Sequence, residues 1–207
     1  MSASDRSTPI FQGRPYAAFL FDMDGTLLDS SRAVERVWTA WAKRHGHDPV
    51  DVLAACQGLR YRDTLRRFAK PEVDIEQEAK TLLQAELDDT EGVVAIAGIE
   101  TLIAELDSGR WAIVTSAPRT LAETRLRAVG LPIPEHFITA ENVQRGKPDP
   151  EGFLKAAELL GVLIAECLVF EDSPAGVAAG KAAGARVAIV GDLVPACEGD
   201  LAITNYL

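Results

Sequence analysis

Asp22 and Asp24, in the stretch Phe21-Asp22-Met23-Asp24-Gly25-Thr26, put two carboxylates at the mouth of an apolar run. Other polar groups follow far downstream. Ser116 ends the run at 111–116, and Lys147 sits in Gly146-Lys147-Pro148-Asp149-Pro150. The acidic pair Glu171-Asp172 follows the apolar run at 167–170. Carboxylates gathered in one place repel each other unless a hard cation sits among them, and oxygen-only ligands suit Mg²⁺. A carboxylate can attack phosphorus to form an acyl phosphate, which splits hydrolysis into two easier steps. A lysine and a hydroxyl can then neutralise and orient the phosphoryl oxygens. This set of residues fits phosphoryl transfer, and its wide, irregular spacing requires a fold to assemble it.

Residues 16–22 read as a buried strand, a short apolar run ending in turn residues. Similar runs recur at 111–116, 137–139, 167–170 and 186–190, with a weaker one at 201–204. Helical patterns lie between them, at 99–108, 119–129, 150–160 and 174–183. Strand and helix in alternation, without polar positions along the strands, predict an α/β fold. Its core is a doubly wound, Rossmann-like parallel sheet covered on both faces. Ligands of such sheets bind at the carboxyl ends of the strands, where the acids, hydroxyl and lysine all fall.

Residues from about 30 to about 90 carry helical periodicity and no strand, a length well beyond ordinary connections. Ser30 or Ser31 is expected to cap a helix that runs to Arg44 and stops at Gly46, followed by helices at 49–56, 62–68 and 72–87. The predicted organisation is a flexible N-terminal tail (1–15), an α/β core (16–28 and 93–207) and a helical cap (29–92).

The 207 residues are 47% hydrophobic and 25% charged, an ordinary globular composition. A formal net charge of −10 argues against nucleic acid or an acidic membrane as partner. It leaves room for a small phosphorylated metabolite, whose local field one cation and a few donors can supply. Cys56, Cys167 and Cys197 have no paired spacing and read as thiols of a reducing compartment. The absence of a leader pattern or a membrane-length apolar run points to a soluble, cytoplasmic monomer or small homo-oligomer.

Taken in order, Asp22-Met23-Asp24-Gly25-Thr26, Ser116, Lys147 and Glu171-Asp172 resemble the four motifs of the haloacid dehalogenase superfamily. The resemblance covers the chain from Tyr16 onward. The wording at 111–116, 137–161 and 169–184 is similar to that of sugar and polyol phosphatases within it. The resemblance implies a Mg²⁺-dependent phosphatase for small phosphate monoesters that works through an aspartyl phosphate. Asp22 would be the nucleophile. Asp24 would be general acid and then base, with its carbonyl on the metal. Ser116, the Ala117 N–H and Lys147 would bind the phosphoryl group, and Asp172 and Glu171 would complete the metal shell. Thr26 and Gly25 would shape the turn, with Thr26 counted among the phosphate-binding residues. Met23 and Pro118 depart from the usual pattern, and Pro118 bears on substrate preference.

Several residues have a blander reading. Asp29 is expected to be a helix cap, and Ser173-Pro174 an N-cap with proline in the first turn. His45 and His47 fall at a helix end and read as C-terminal capping residues, not a metal pair. Trp38 and Trp41 read as core of the cap, and Arg66, Arg67 and Lys70 as a solvated face. Gly58 breaks the helical pattern, and related capped phosphatases point the corresponding loop at the leaving group. Gly58, Arg60 and Arg62 are therefore expected substrate contacts. A sugar phosphomutase shares every core motif and is the alternative function. A dehalogenase is disfavoured by Asp24, and a non-enzymatic phospho-acceptor module by the long helical insert.

Overall fold

In the computed structural model, which describes residues 8–197 and 201–207, Ile10–Phe11 (β1) pairs antiparallel with Arg14–Pro15 (β2). Gln12 and Gly13, with φ of 49° and 73°, make the turn between them. Phe11 meets Phe170 edge-on, with ring centroids 5.0 Å apart. Residues 10–15 of the expected tail are thus fixed to the core by an aromatic contact, and residues 1–7 lie outside the described residues.

The next strand, Ala18–Phe21 (β3), is buried along its whole length. Leu28–Asp29 (β4) then pairs antiparallel with Val94–Ala95 (β5). Between those two strands lie four helices: Ser31–His45 (α1), Pro49–Cys56 (α2), Tyr61–Phe68 (α3) and Ile75–Leu87 (α4). Gly46 ends α1 in the left-handed conformation, and the side chains of Asp48 and Asp74 cap α2 and α4. Trp38, Trp41, Val52, Leu65 and Leu82 bury one another in an apolar centre separate from those of the sheet. The insert therefore folds around its own core, and the chain enters and leaves it through the β4–β5 ribbon.

The remaining elements alternate. They are Ile99–Ala104 (α5), Trp111–Val114 (β6), Arg119–Ala128 (α6), Phe137–Ile138 (β7), Glu151–Leu160 (α7), Cys167–Glu171 (β8), Pro174–Ala183 (α8), Arg186–Val190 (β9) and Leu201–Ile203 (β10). Six strands form one parallel sheet in the order β10-β9-β8-β3-β6-β7. Phe19, Phe21, Ile113 and Phe170 pack on one face with Ile99 of α5 and Leu126 of α6. Leu20, Ala112, Val114 and Val169 pack on the other with Phe153 of α7 and Val177 of α8. Alternate residues of each strand thus enter different cores, which is why the strands read as unbroken apolar runs.

The doubly wound α/β architecture expected from the sequence is the one observed. The chain leaves β3 for β6 on one side and later returns to β8 on the other. That reversal of direction opens a crevice at the carboxyl end of β3.

Phe21 stands directly before Asp22, fully buried and stacked on Phe170 with centroids 4.7 Å apart. Phe21→Ala is expected to cost about 3–5 kcal/mol, read as a lower urea midpoint at unchanged m-value. A midpoint within error of the parent would contradict this role for the stacked pair.

Candidate active site

Strand register brings the dispersed polar residues to one level. Phe21 is paired with Ile113 of β6 on one side and Phe170 of β8 on the other. Asp22, Thr115-Ser116 and Glu171-Asp172 therefore lie at or just beyond adjoining strand ends, and the Asp22 N–H donates to the Phe170 carbonyl at 2.9 Å. Lys147 arrives from the loop before α7. Its buried ammonium donates to Asp22 Oδ1 and, at 2.5 Å, to Glu171 Oε1. Glu171 Oε2 in turn accepts from the Ser173 N–H and hydroxyl, each at 3.0 Å.

Two glycines make room for this charge. A Cβ on Gly176, in the first turn of α8, would lie 1.6 Å from Glu171 Oε1. A Cβ on Gly25 would lie 2.0 Å from Asp172 Oδ2, and its φ of 84° favours glycine in any case. The Gly-Thr turn thus brings backbone against the Asp172 carboxylate.

Asp22, Glu171 and Asp172 offer carboxylate oxygens within 4.8 Å of one another. Burial pushes the Asp22 carboxyl well above its ordinary range against the pull of Lys147, and Glu171 and Asp172 add to the rise. Asp172 is pushed up to about 8 by burial and by Glu171. Burial disfavours the Lys147 charge, yet Asp22 and Glu171 hold its pKa above the ordinary lysine value. Three carboxylates against one ammonium leave negative charge unbalanced, and hard oxygen donors of this kind fit a divalent cation such as Mg²⁺. Asp22 and Asp172 line the cleft, while Glu171 is fully buried behind them.

Asp24 stands apart from that trio. Its Oδ1 accepts from the Ser30 hydroxyl at 2.6 Å and from Arg125 Nη1 at 2.8 Å. Ser30, expected as a side-chain cap of α1, instead turns its hydroxyl to Asp24 and makes no cap bond. Asp29 supplies local order there, with Oδ1 accepting from the Ser31 N–H at 2.9 Å.

The hydroxyl of Ser116 donates to the Gly58 carbonyl at 2.7 Å, which joins the insert to the core at the cleft. The Ala117 N–H donates to Thr115 Oγ1 at 3.0 Å. Asp22, Asp24, Gly58, Ser116, Ala117 and Asp172 all line one cavity of about 530 Å³ between insert and core. That volume is ordinary for a small-ligand site.

Thr26 and Arg62 do not line the cleft, and Arg60 borders a small pocket beside Ser116 and Lys147. Thr26 is fully buried because the turn folds it inward: its N–H donates to Met23 and its carbonyl accepts from the Tyr206 hydroxyl at 3.1 Å. Arg60 spends its guanidinium on Asp63 and on the Val143 and Gln144 carbonyls, tying α3 to the loop before Lys147. Arg62 pairs with Glu76 on the surface, with more than half of each side chain exposed, and does not line the cleft. His45 and His47 both stack on Trp41.

Arg125, Glu86 and Tyr61 line the cavity as well and were not singled out in the sequence. Arg125 Nη2 donates to Glu86 Oε2 at 2.7 Å and the Tyr61 hydroxyl donates to the same oxygen at 2.8 Å. A signal was available, since Arg125 and Glu86 each lie four residues after a buried leucine, Leu121 and Leu82. A charge at that spacing falls on the apolar face of its helix.

A parallel sheet with an acidic, lysine-braced crevice at its reversal point, roofed by a helical insert, has the make-up of a phosphoryl-transfer site. The chain belongs to the haloacid dehalogenase-like hydrolases, whose family description matches residues 16–184. Hexitol phosphatase A of Escherichia coli is 48% identical over 176 residues, which span 83% of this chain and 82% of that protein. 2-Deoxyglucose-6-phosphate phosphatase 2 of Saccharomyces cerevisiae is 35% identical, over 80% and 76% of the two chains. Among solved structures, a β-phosphoglucomutase from Clostridium difficile superposes with a TM-score of 0.79 over 92% of each chain. At 21% identity, that likeness concerns the fold alone. Among the described residues, no helix is long and apolar enough to cross a membrane.

The raised Asp172 gives a signed pH dependence. Between the ordinary value of 3.8 and about 8 the folded state retains a proton that the unfolded state has released, so stability falls as pH rises. In chelator, wild-type protein should lose Tm relative to Asp172→Asn as pH climbs through that window, and Mg²⁺ should reverse the loss. Parallel Tm profiles for the two proteins would contradict the assignment.

Proposed function

We propose that the protein is a Mg²⁺-dependent phosphatase for small sugar or polyol phosphate monoesters, acting through an aspartyl phosphate on Asp22. The observation that carries this reading is the Asp22 carboxylate, bonded to Lys147 and set within 4.8 Å of Glu171 and Asp172, opening on a cavity of about 530 Å³. The names of the two phosphatase relatives support a phosphorylated carbohydrate or polyol as substrate. The proposed organisation is a core of 16–28 and 93–207 under a cap of 29–92.

In the proposed reaction a carboxylate oxygen of Asp22 attacks phosphorus and the bond to the leaving oxygen breaks. Asp24 gives that oxygen its proton, so the alcohol departs and the phosphoryl group stays on Asp22. Asp24, now ionised, takes a proton from water as the water oxygen attacks phosphorus, which frees Asp22 and inorganic phosphate. Lys147 keeps Asp22 oriented, while Ser116 and the Ala117 N–H exchange their protein partners for phosphoryl oxygens. Asp22 and Asp172, with Glu171 behind them and the Asp24 carbonyl that the family resemblance implies, would hold the metal, which would supply charge to offset the phosphoryl oxygens. Gly58, whose carbonyl accepts from the Ser116 hydroxyl at the cavity, would face the leaving group from the insert. Arg60 and Arg62 are left out of this scheme because their guanidinium groups are bonded elsewhere.

Asp22→Asn should lower Mg²⁺-dependent release of phosphate from a panel of hexitol and hexose phosphates by roughly 10³-fold or more. Undiminished turnover would sink the mechanism. Conversion of a sugar phosphate to its isomer, with a sugar bisphosphate required and little phosphate released, would establish the phosphomutase alternative instead.

A further inference from the structure

We infer that Arg125, held by Glu86 of the helical insert, is the positioning residue for Asp24, so that the seating of the insert on the core fixes where the acid–base carboxylate points. The inference rests on the phosphatase reading above, in which Asp24 carries the proton.

The geometry is that of a relay between two structural units. Arg125 belongs to α6 of the core, and its side chain is only 3% exposed. Its fork ends on two carboxylates, with Nη1 on Asp24 and Nη2 on Glu86. Glu86 belongs to α4 of the insert and is 2% exposed. Tyr61, from α3 of the insert, donates its hydroxyl to the same Glu86 oxygen. The chain Tyr61–Glu86–Arg125–Asp24 therefore crosses from insert to core and stops at the proposed acid–base residue.

A buried ion pair is a costly way to glue helices, because desolvation offsets most of its attraction and apolar residues of similar volume do the work as well. What a guanidinium adds is direction, since its planar fork fixes the angle at which each carboxylate is held. Both bonds to Asp24, from Arg125 and from Ser30, fall on Oδ1. That makes Oδ2 the oxygen that exchanges the proton with the leaving group and then with water. Among the described residues, Glu86 Oε1 and Arg125 Nε are buried without a protein partner.

Leaving-group dependence separates positioning from general loss of structure. An alkyl phosphate needs its leaving oxygen protonated, whereas p-nitrophenolate departs without help. The ratio kcat/KM counts steps only up to departure of the leaving group, so it isolates the acid role of Asp24. Glu86→Gln alone loosens the relay, since the amide oxygen can accept from Arg125 but carries no charge, and Glu86→Gln combined with Arg125→Met removes it. The double variant leaves no unpaired buried charge in the pair, which preserves the fold.

Both are expected to lower kcat/KM for a hexitol phosphate by about ten- to a hundredfold, a share of what general acid catalysis contributes. For p-nitrophenyl phosphate kcat/KM should change much less, with a burst of p-nitrophenolate as the base-assisted second step becomes limiting. Arg125→Lys, which keeps one N–H donor for Asp24, should fall between wild type and the double variant. Equal losses on the two substrates, or no loss on either, would overturn the inference while leaving the phosphatase reading intact. Wild-type protein that releases phosphate from neither substrate would instead remove the reading on which it rests.

Discussion

Asp22 and Glu171 converge on the buried ammonium of Lys147 with Asp172 close beside them, and much of the chain is arranged to tolerate that imbalance. Carboxylates so close in a low-dielectric site repel strongly and shift toward their protonated forms. The sheet pins them regardless, because Asp22 is tied to β8 through its own N–H and Glu171 ends a strand paired on both sides. Gly25 and Gly176 then bring backbone so near the acids that no side chain fits between. The strain in this arrangement is electrostatic, and a divalent cation among the carboxylates would relieve it.

The helical insert answers a second need. A phosphoryl site at a sheet edge is open to water, and excluding bulk water strengthens the electrostatic contacts on which phosphoryl transfer depends. Four helices with their own apolar centre form a roof over it. Among the described residues, hydrogen bonds join the insert to the core at four places: Ser30 to Asp24, Gly58 to Ser116, Arg60 to the loop before Lys147, and Glu86 to Arg125. Each ends within a few residues of a proposed phosphate- or proton-handling group, or bonds to one directly. The roof and the chemistry are thus linked by hydrogen bonds as well as by shape.

Much of the architecture was legible from residue pattern. The core strands were readable because both sheet faces are buried, and the insert because helical spacing ran on past the length of any loop. The site residues at strand ends were readable because Asp22, Ser116, Lys147 and Asp172 sit at punctuation that a parallel sheet turns into a crevice. The rest depended on tertiary pairing. Arg125 and Glu86 stand 39 residues apart on different helices, and helical spacing alone does not pair one with the other. Ser30 was read by its preference for helix caps, but its hydroxyl had a stronger acceptor in Asp24. Arg60 was read from the break at Gly58, yet its guanidinium found backbone carbonyls of the core 83 and 84 residues away. The ribbon at residues 10–15 went unread because its two-residue strands carry too little pattern to register.

The central claim is that Asp22 itself carries the phosphoryl group during turnover. Quenching the protein with borodeuteride during steady-state hydrolysis of a hexitol phosphate, followed by peptide mass spectrometry, tests it directly. An acyl phosphate at Asp22 would be reduced to deuterated homoserine, so the account predicts that label at position 22, dependent on substrate and Mg²⁺. Label at another carboxylate, or continued turnover with position 22 unlabelled, would contradict it.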